Sequence, residues 1–167
     1  MPFKAFRIHQ QEKGVSTGFE DLEVENLTDG DVVVRVAYSG INFKDALAAT
    51  GAAKILRAPE LNGGIDFSGV VESSESSNFR VGQKVLVCGC GLSETRDGGF
   101  SEVARVPAEC VVSVPDSLDL REVMALGTAG FTAAIAMIRL EENGQDPSQG
   151  QMIVTGATGG VGSIVID

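Results

Sequence analysis

A chain of 167 residues with 43% hydrophobic and 22% charged side chains has enough apolar material for a folded core, which excludes a disordered segment. A formal net charge of −10 argues against a nucleic-acid or anionic-membrane surface, where a basic footprint is needed. No run approaches the roughly 18 apolar residues of a membrane span, and Met1-Pro2-Phe3-Lys4 lacks the basic-then-apolar layout of a secretory signal.

From residue 3 to about 115 the pattern is short apolar strands punctuated by Gly, Asp, Asn and Ser. Residues 3–9 read as a strand, 15–24 as a looser one, and 31–38 as a buried, β-branched one. Residues 42–49 then read as a helix with Asn42 as its N-cap. Further strands are expected at 65–72, 84–88, 100–106 and 110–114, and the spacing implies a β-rich unit of barrel-like topology. After Pro115 the character changes: a short helix over 120–126, a longer one over 128–142 ending near Asn143-Gly144, a polar turn containing Pro147, and a new strand over 151–155. A domain boundary is therefore expected near 118–130, dividing residues 1–120 from 121–167.

Thr155-Gly156-Ala157-Thr158-Gly159-Gly160-Val161-Gly162 follows that last strand and opens a helix. Glycines let a backbone turn sharply beside a pyrophosphate, and exposed N–H groups at a helix start meet its charge. A strand-to-helix turn without a ligand is the plainer alternative. The first glycine of the dinucleotide fingerprint is replaced here by Ala157. The residue that separates NAD from NADP is expected about 20 positions beyond the loop, past Asp167, so these residues do not read out cofactor choice.

Three further segments, Ser39-Gly40-Ile41-Asn42-Phe43-Lys44-Asp45-Ala46-Leu47, Gly64-Ile65-Asp66-Phe67-Ser68-Gly69-Val70-Val71 and Gly127-Thr128-Ala129-Gly130-Phe131-Thr132-Ala133, join the glycine loop in a specific order. Together they resemble the medium-chain dehydrogenase/reductases of the quinone oxidoreductase branch, and within it the acrylyl-CoA reductase group. The resemblance implies a β-rich GroES-like barrel domain followed by the start of an α/β Rossmann domain, truncated after its first strand, loop and helix start. It implies NADPH as cofactor, with contacts at Phe43, Thr158, Gly159, Gly160 and Val161, and Thr128 near the nicotinamide end. Phe43 stands where relatives usually have tyrosine, so a hydroxyl contact is lost; Asn62-Gly63-Gly64 replaces a Pro-Gly. Homodimer formation through the half not present, an enoyl-CoA, enone or quinone substrate and a cytoplasmic location are also implied.

Zinc-dependent relatives place cysteine at Asn42 and His-Glu at Ile65-Asp66, so a zinc-independent site is expected. The single histidine, His9, lies in the first strand and no Ser/His/Asp constellation is readable. Cys88 and Cys90 read as strand-end core residues, and three cysteines suit a reducing cytoplasm. The reaction that fits is hydride transfer to the β-carbon of an enoyl thioester or enone, which needs a donor for the developing enolate oxygen. Asn42, Lys44 and Tyr38 are the candidate catalytic residues. Asn42 alternatively only caps its helix, Lys44 pairs with a nearby carboxylate, and Tyr38 packs. Asp66 is read as a buried hydrogen-bonding group, Asp45 as orienting Lys44 or bonding a backbone amide, and Lys54 and Arg57 as solvated loop charges, with contact to CoA phosphates as the alternative. A quinone reductase of the same fold and a non-catalytic binding module are the competing functions. The 167 residues by themselves are expected to bind NADPH weakly or not at all and to show no turnover.

Overall fold

The computed structural model describes residues 1–167. Strand β1 (Phe3–Gln10) pairs antiparallel with β2 (Val15–Leu22) from Phe3↔Leu22 to Gln10↔Val15. Its other edge takes the three-residue β4 (Glu60–Asn62). A second, five-stranded antiparallel sheet runs in the order β7 (Val103–Val106), β3 (Val32–Tyr38), β5 (Asp66–Ser74), β6 (Lys84–Cys88), β8 (Val112–Ser113). The sheets meet where Ala5 bridges Ser101 and the Phe6 N–H donates to the Phe100 carbonyl at 2.7 Å. Inward-facing Val32, Val34, Phe67, Val71, Val85, Val87 and Val106 fill the space between. Burying each contributes about 1.5–3 kcal/mol.

At the β3–β5 pairing the register shifts at Val33/Val34 and again at Val36/Tyr38. Such bulges bend a strand, and the second one sends the chain out of the sheet toward α1 (Phe43–Thr50). Gly69 is required opposite, because a Cβ there would strike the Arg35 carbonyl. Helix α1 ends on Gly51, left-handed at φ 68°. Helix α2 (Leu120–Glu142) starts on Asp119, whose carboxylate accepts the Arg121 and Glu122 N–H groups at 2.8 Å. It breaks at Gly127 (φ 47°, ψ −149°), the boundary between the two helices expected from the sequence. Helix α3 (Gly160–Ile166) packs beside it.

Several expectations are corrected. Residues 151–155 form no strand: no neighbouring strand exchanges hydrogen bonds with them, and Ile153 is 92% exposed. The strand expected over 110–114 divides into a 3₁₀ turn (Ala108–Cys110) and the two-residue β8, because Cys110 turns inward. Cys90 is not a simple core residue; it is exposed and joined by a disulfide to Cys110. Helix α2, at 23 residues and a mean hydropathy of 1.6 over its most apolar window, does reach the length and composition of a membrane span. Gly127 interrupts it, and its Val123, Met124 and Ala133 are buried within the fold.

Candidate active site

The first residue of β5, Asp66, is 1% exposed and gathers three chain segments. Its Oδ1 accepts the Gly40 N–H at 3.1 Å; its Oδ2 accepts the Asn42 Nδ2 at 3.1 Å and the Thr128 N–H at 2.9 Å. The Ser39 hydroxyl donates to its backbone carbonyl at 2.6 Å. One carboxylate thereby fixes both the start of α1 and the restart of α2 after its kink. Asp45 does the same work one turn into α1, accepting the Asn42 N–H at 2.7 Å and the Ile65 N–H at 2.9 Å. Burial pushes its carboxyl above the usual range, against the opposing pull of those donors. Asp66 is the buried hydrogen-bonding group expected, and of the two roles open to Asp45 the structure shows the bond to backbone amides.

Between α1 and α2 lies a cleft of about 410 Å³ whose walls include Asn42, Phe43, Thr128, Gly160 and Val161. Asp66 is the only ionisable residue lining it, and Ile41, Met124 and Leu126 supply apolar wall. Asn42 is half-buried and turns its side-chain amide to Asp66. Phe43 is 80% exposed. At the start of α1 the Phe43 and Lys44 N–H groups have no partner. The Thr128 hydroxyl oxygen is buried, turned inward beside the Cys88 thiol.

Cys88 faces Asp66 across the β5–β6 pairing. Burial, reinforced by the Asp66 carboxylate, pushes its thiol up to about 11.

The remaining expected residues fall elsewhere. Lys44 does not face the cleft: its ammonium is held by Glu94 Oε2 at 2.6 Å, an ion pair completed by Arg57 at 2.9 Å to Glu94 Oε1. Arg57 keeps 72% of its side chain exposed, the solvated loop charge expected, while it pairs with Glu94. Tyr38, just past the second register shift of β3, lies on a separate, more apolar groove with Phe6, Phe19 and Phe100. In the glycine loop, the Gly159 N–H is spent on the Gly156 carbonyl at 2.9 Å, whereas the Thr158, Gly160, Val161 and Gly162 N–H groups have no protein acceptor. Thr158 and Gly159 do not line the cleft. Glu94 was not singled out from sequence; a lone glutamate in a loop carries no signal until the fold brings it to α1.

These residues fit a dinucleotide. The loop leaves unpaired donors at Gly160–Gly162, a Cβ at Gly162 would collide with the Gly156 carbonyl, and Thr128 lines the same cleft.

Residues 28–116 match the alcohol dehydrogenase GroES-like domain. The chain is 44% identical over 163 residues to a probable acrylyl-CoA reductase of Escherichia coli K12, covering 98% of this chain and 50% of that protein. It is equally identical, 44% over 164 residues, to a putative quinone oxidoreductase of Bacillus subtilis 168, with the same coverage of 98% and 50%. Among solved structures, a Salmonella enterica oxidoreductase in complex with NADP superposes with a TM-score of 0.92 at 44% identity, over 98% of this chain and 50% of that one. A Bacillus subtilis protein with NAD bound superposes at 0.94 and 43% identity, over 99% and 50%. The chain spans about half the length of the curated relatives it matches.

Proposed function

The chain belongs to the alcohol dehydrogenase GroES-like domain family, and on that premise we propose that it forms the catalytic half of an NADPH-dependent reductase of activated C=C bonds, with acrylyl-CoA as substrate. The observation that carries this reading is the convergence of Asn42, Phe43, Thr128, Gly160 and Val161 on one cleft, beside unpaired N–H groups at Gly160–Gly162. The boundary between a barrel domain and a nucleotide-binding domain falls near residue 120. A cytoplasmic homodimer is the proposed setting.

NADPH, when bound, supplies the hydride. The Gly160, Val161 and Gly162 N–H groups meet pyrophosphate charge, with Thr158 at the loop's tip and Gly159 shaping it. The Phe43 ring offers a packing face, and Thr128 stands at the reacting end of the cleft. Reduction of an enoyl thioester places growing negative charge on the carbonyl oxygen. The second Nδ2 hydrogen of Asn42 and the unpaired Phe43 and Lys44 N–H groups are donors available to that oxygen. Asp66 holds the Asn42 amide in place.

The cleft is proposed to be metal-free on the chemistry of its donors. Isoleucine at position 65 cannot ligate, the Asn42 amide is committed to Asp66, and both Asp66 oxygens already accept N–H groups.

The test is NADPH oxidation by the full-length polypeptide with acrylyl-CoA and with a quinone. Turnover of acrylyl-CoA is expected, and Asn42→Ala is expected to lower kcat by about 10²-fold with little change in KM, the usual effect of removing one oxyanion donor. Oxidation with the quinone alone would remove the thioester reading in favour of the second one, which the equal identity to the Bacillus relative supports.

A further inference from the structure

Outside the cleft, the most unusual backbone in the chain lies between β6 and residue 97. Cys90 (φ 52°) and Ser93 (φ 58°) are the only non-glycine residues in the left-handed region, and they alternate with Gly89 (φ 68°) and Gly91 (φ 82°). The loop winds on itself: the Leu92 N–H donates to Gly89 at 2.9 Å, and the Thr95 and Arg96 N–H groups donate to the Gly91 carbonyl at 2.8 and 3.0 Å. Three side chains seat it, Ser93 among them at 0% exposed. Leu92, 1% exposed, enters the main core, and Glu94 reaches Lys44 of α1.

A disulfide adds to the hydrogen bonds by which the Gly89 N–H meets the Ile65 carbonyl at 2.8 Å and the Arg57 N–H meets the Glu94 carbonyl at 2.7 Å. Cys90 is joined to Cys110, their Cα atoms 5.8 Å apart and 20 residues distant in sequence. Cys110 is buried in the main core, whereas Cys90 lies at the surface. An incoming thiolate therefore meets the Cys90 sulfur, and Cys110 is the leaving thiolate. Cys88, two residues upstream, is half-buried beside Asp66 and stays protonated, so it is a poor competitor for exchange with its neighbour.

We infer that the Cys90–Cys110 disulfide is a reversible redox latch: oxidised, it fixes the 89–96 loop so that Glu94 holds the Lys44 ammonium; reduced, it releases the loop and frees Lys44 at the base of α1. The exchange balances with a low-molecular-weight thiol as reductant. One thiolate attacks Cys90, the S–S bond breaks, and a mixed disulfide and the Cys110 thiol form. A second thiolate displaces Cys90, leaving two cysteine thiols, which take up two protons, and one small disulfide. The small disulfide drives the reverse. None of this depends on the proposed hydride transfer, since the latch acts on α1 whatever the cleft binds.

The test uses the wild-type chain equilibrated across glutathione buffers of increasing reducing strength. Alkylation after denaturation, read by mass spectrometry, is expected to find one thiol per chain at the oxidising end and three at the reducing end. Acylation of Lys44 by an amine-reactive ester, normalised to the exposed Lys54, is expected to rise several-fold over the same transition. Glu94→Gln should show the released Lys44 rate in both states, and Cys88→Ser should leave the transition in place. A Lys44 rate that stays constant while the thiol count changes overturns the latch. So does a chain with three thiols in the most oxidising buffer. Cys90→Ser supplies a permanently released form where it folds, and the wild-type titration decides the matter where it does not.

Discussion

Asp66 accepts N–H donors from Gly40, Asn42 and Thr128 while almost wholly buried. Asp66→Ala strands all three, and an unsatisfied buried donor costs about 1–3 kcal/mol, so a loss on the order of 3 kcal/mol or more is expected in urea unfolding. Asp66→Asn, which keeps one acceptor oxygen, should lose less. Cys88 gives a pH signature of its own. Its folded thiol sits near 11 against an ordinary 9.0, so burial favours the neutral form. The stability this form contributes is complete below pH 9.0 and is lost as pH rises through about 11. Iodoacetamide should accordingly label Cys88 slowly at pH 9 in the folded chain and far faster once it is unfolded, and the gap between the two rates should narrow as pH rises through about 11. At this scale the sequence was informative wherever a residue's role is local. Asn42 before a helix and an aspartate at the head of an apolar strand both announce themselves. Lys44 with Glu94, 50 residues away, and Cys90 with Cys110 depend on how a loop is wound, which no spacing reveals.

Among the elements, the break in α2 has the clearest mechanical role. Gly127 takes a positive φ, and a Cβ there would come within 2.7 Å of Met124 Cε and 3.1 Å of Asp66 Oδ2. Gly127→Ala is expected to destabilise by about 1–3 kcal/mol through backbone strain, and to speed hydrogen exchange at the Thr128 amide as it leaves Asp66. Thermal unfolding and amide exchange check the two parts separately. This break was legible, since Gly-Thr-Ala-Gly divides two apolar helical runs, as were the β-branched strands. The expected strand over 151–155 was not realised, because an apolar run becomes a strand only where another strand receives its N–H and C=O groups. Strand β4 went unseen because it is three residues long and owes its existence to the edge of β1.

For the molecule as a whole, the barrel is sealed and the helical end is not. The buried Arg7 pairs with Asp97 at 3.1 Å and with Asn62 Oδ1 at 3.1 Å, closing one end of the sheets. On α2, by contrast, Leu126, Phe131, Ile135 and Ile138 are exposed, with Met152 and Ile153 exposed nearby in the chain. Apolar surface on this scale binds amphiphilic dyes and copies of itself. The chain is expected to enhance anilinonaphthalene sulfonate fluorescence in the folded state and to associate as its concentration is raised, and Phe131→Ser should weaken both in dye titration and sedimentation velocity.

The meeting of two helices on a single carboxylate has a practical reach. Because the floor of the cleft is anchored at Asp66, its exposed apolar rim at Ile41 and Leu126 can be reshaped without disturbing the donors beneath. If the cleft takes the thioester proposed for it, enlarging or narrowing that rim should shift which acyl groups are admitted, which makes those two positions the natural handles for redesigning selectivity.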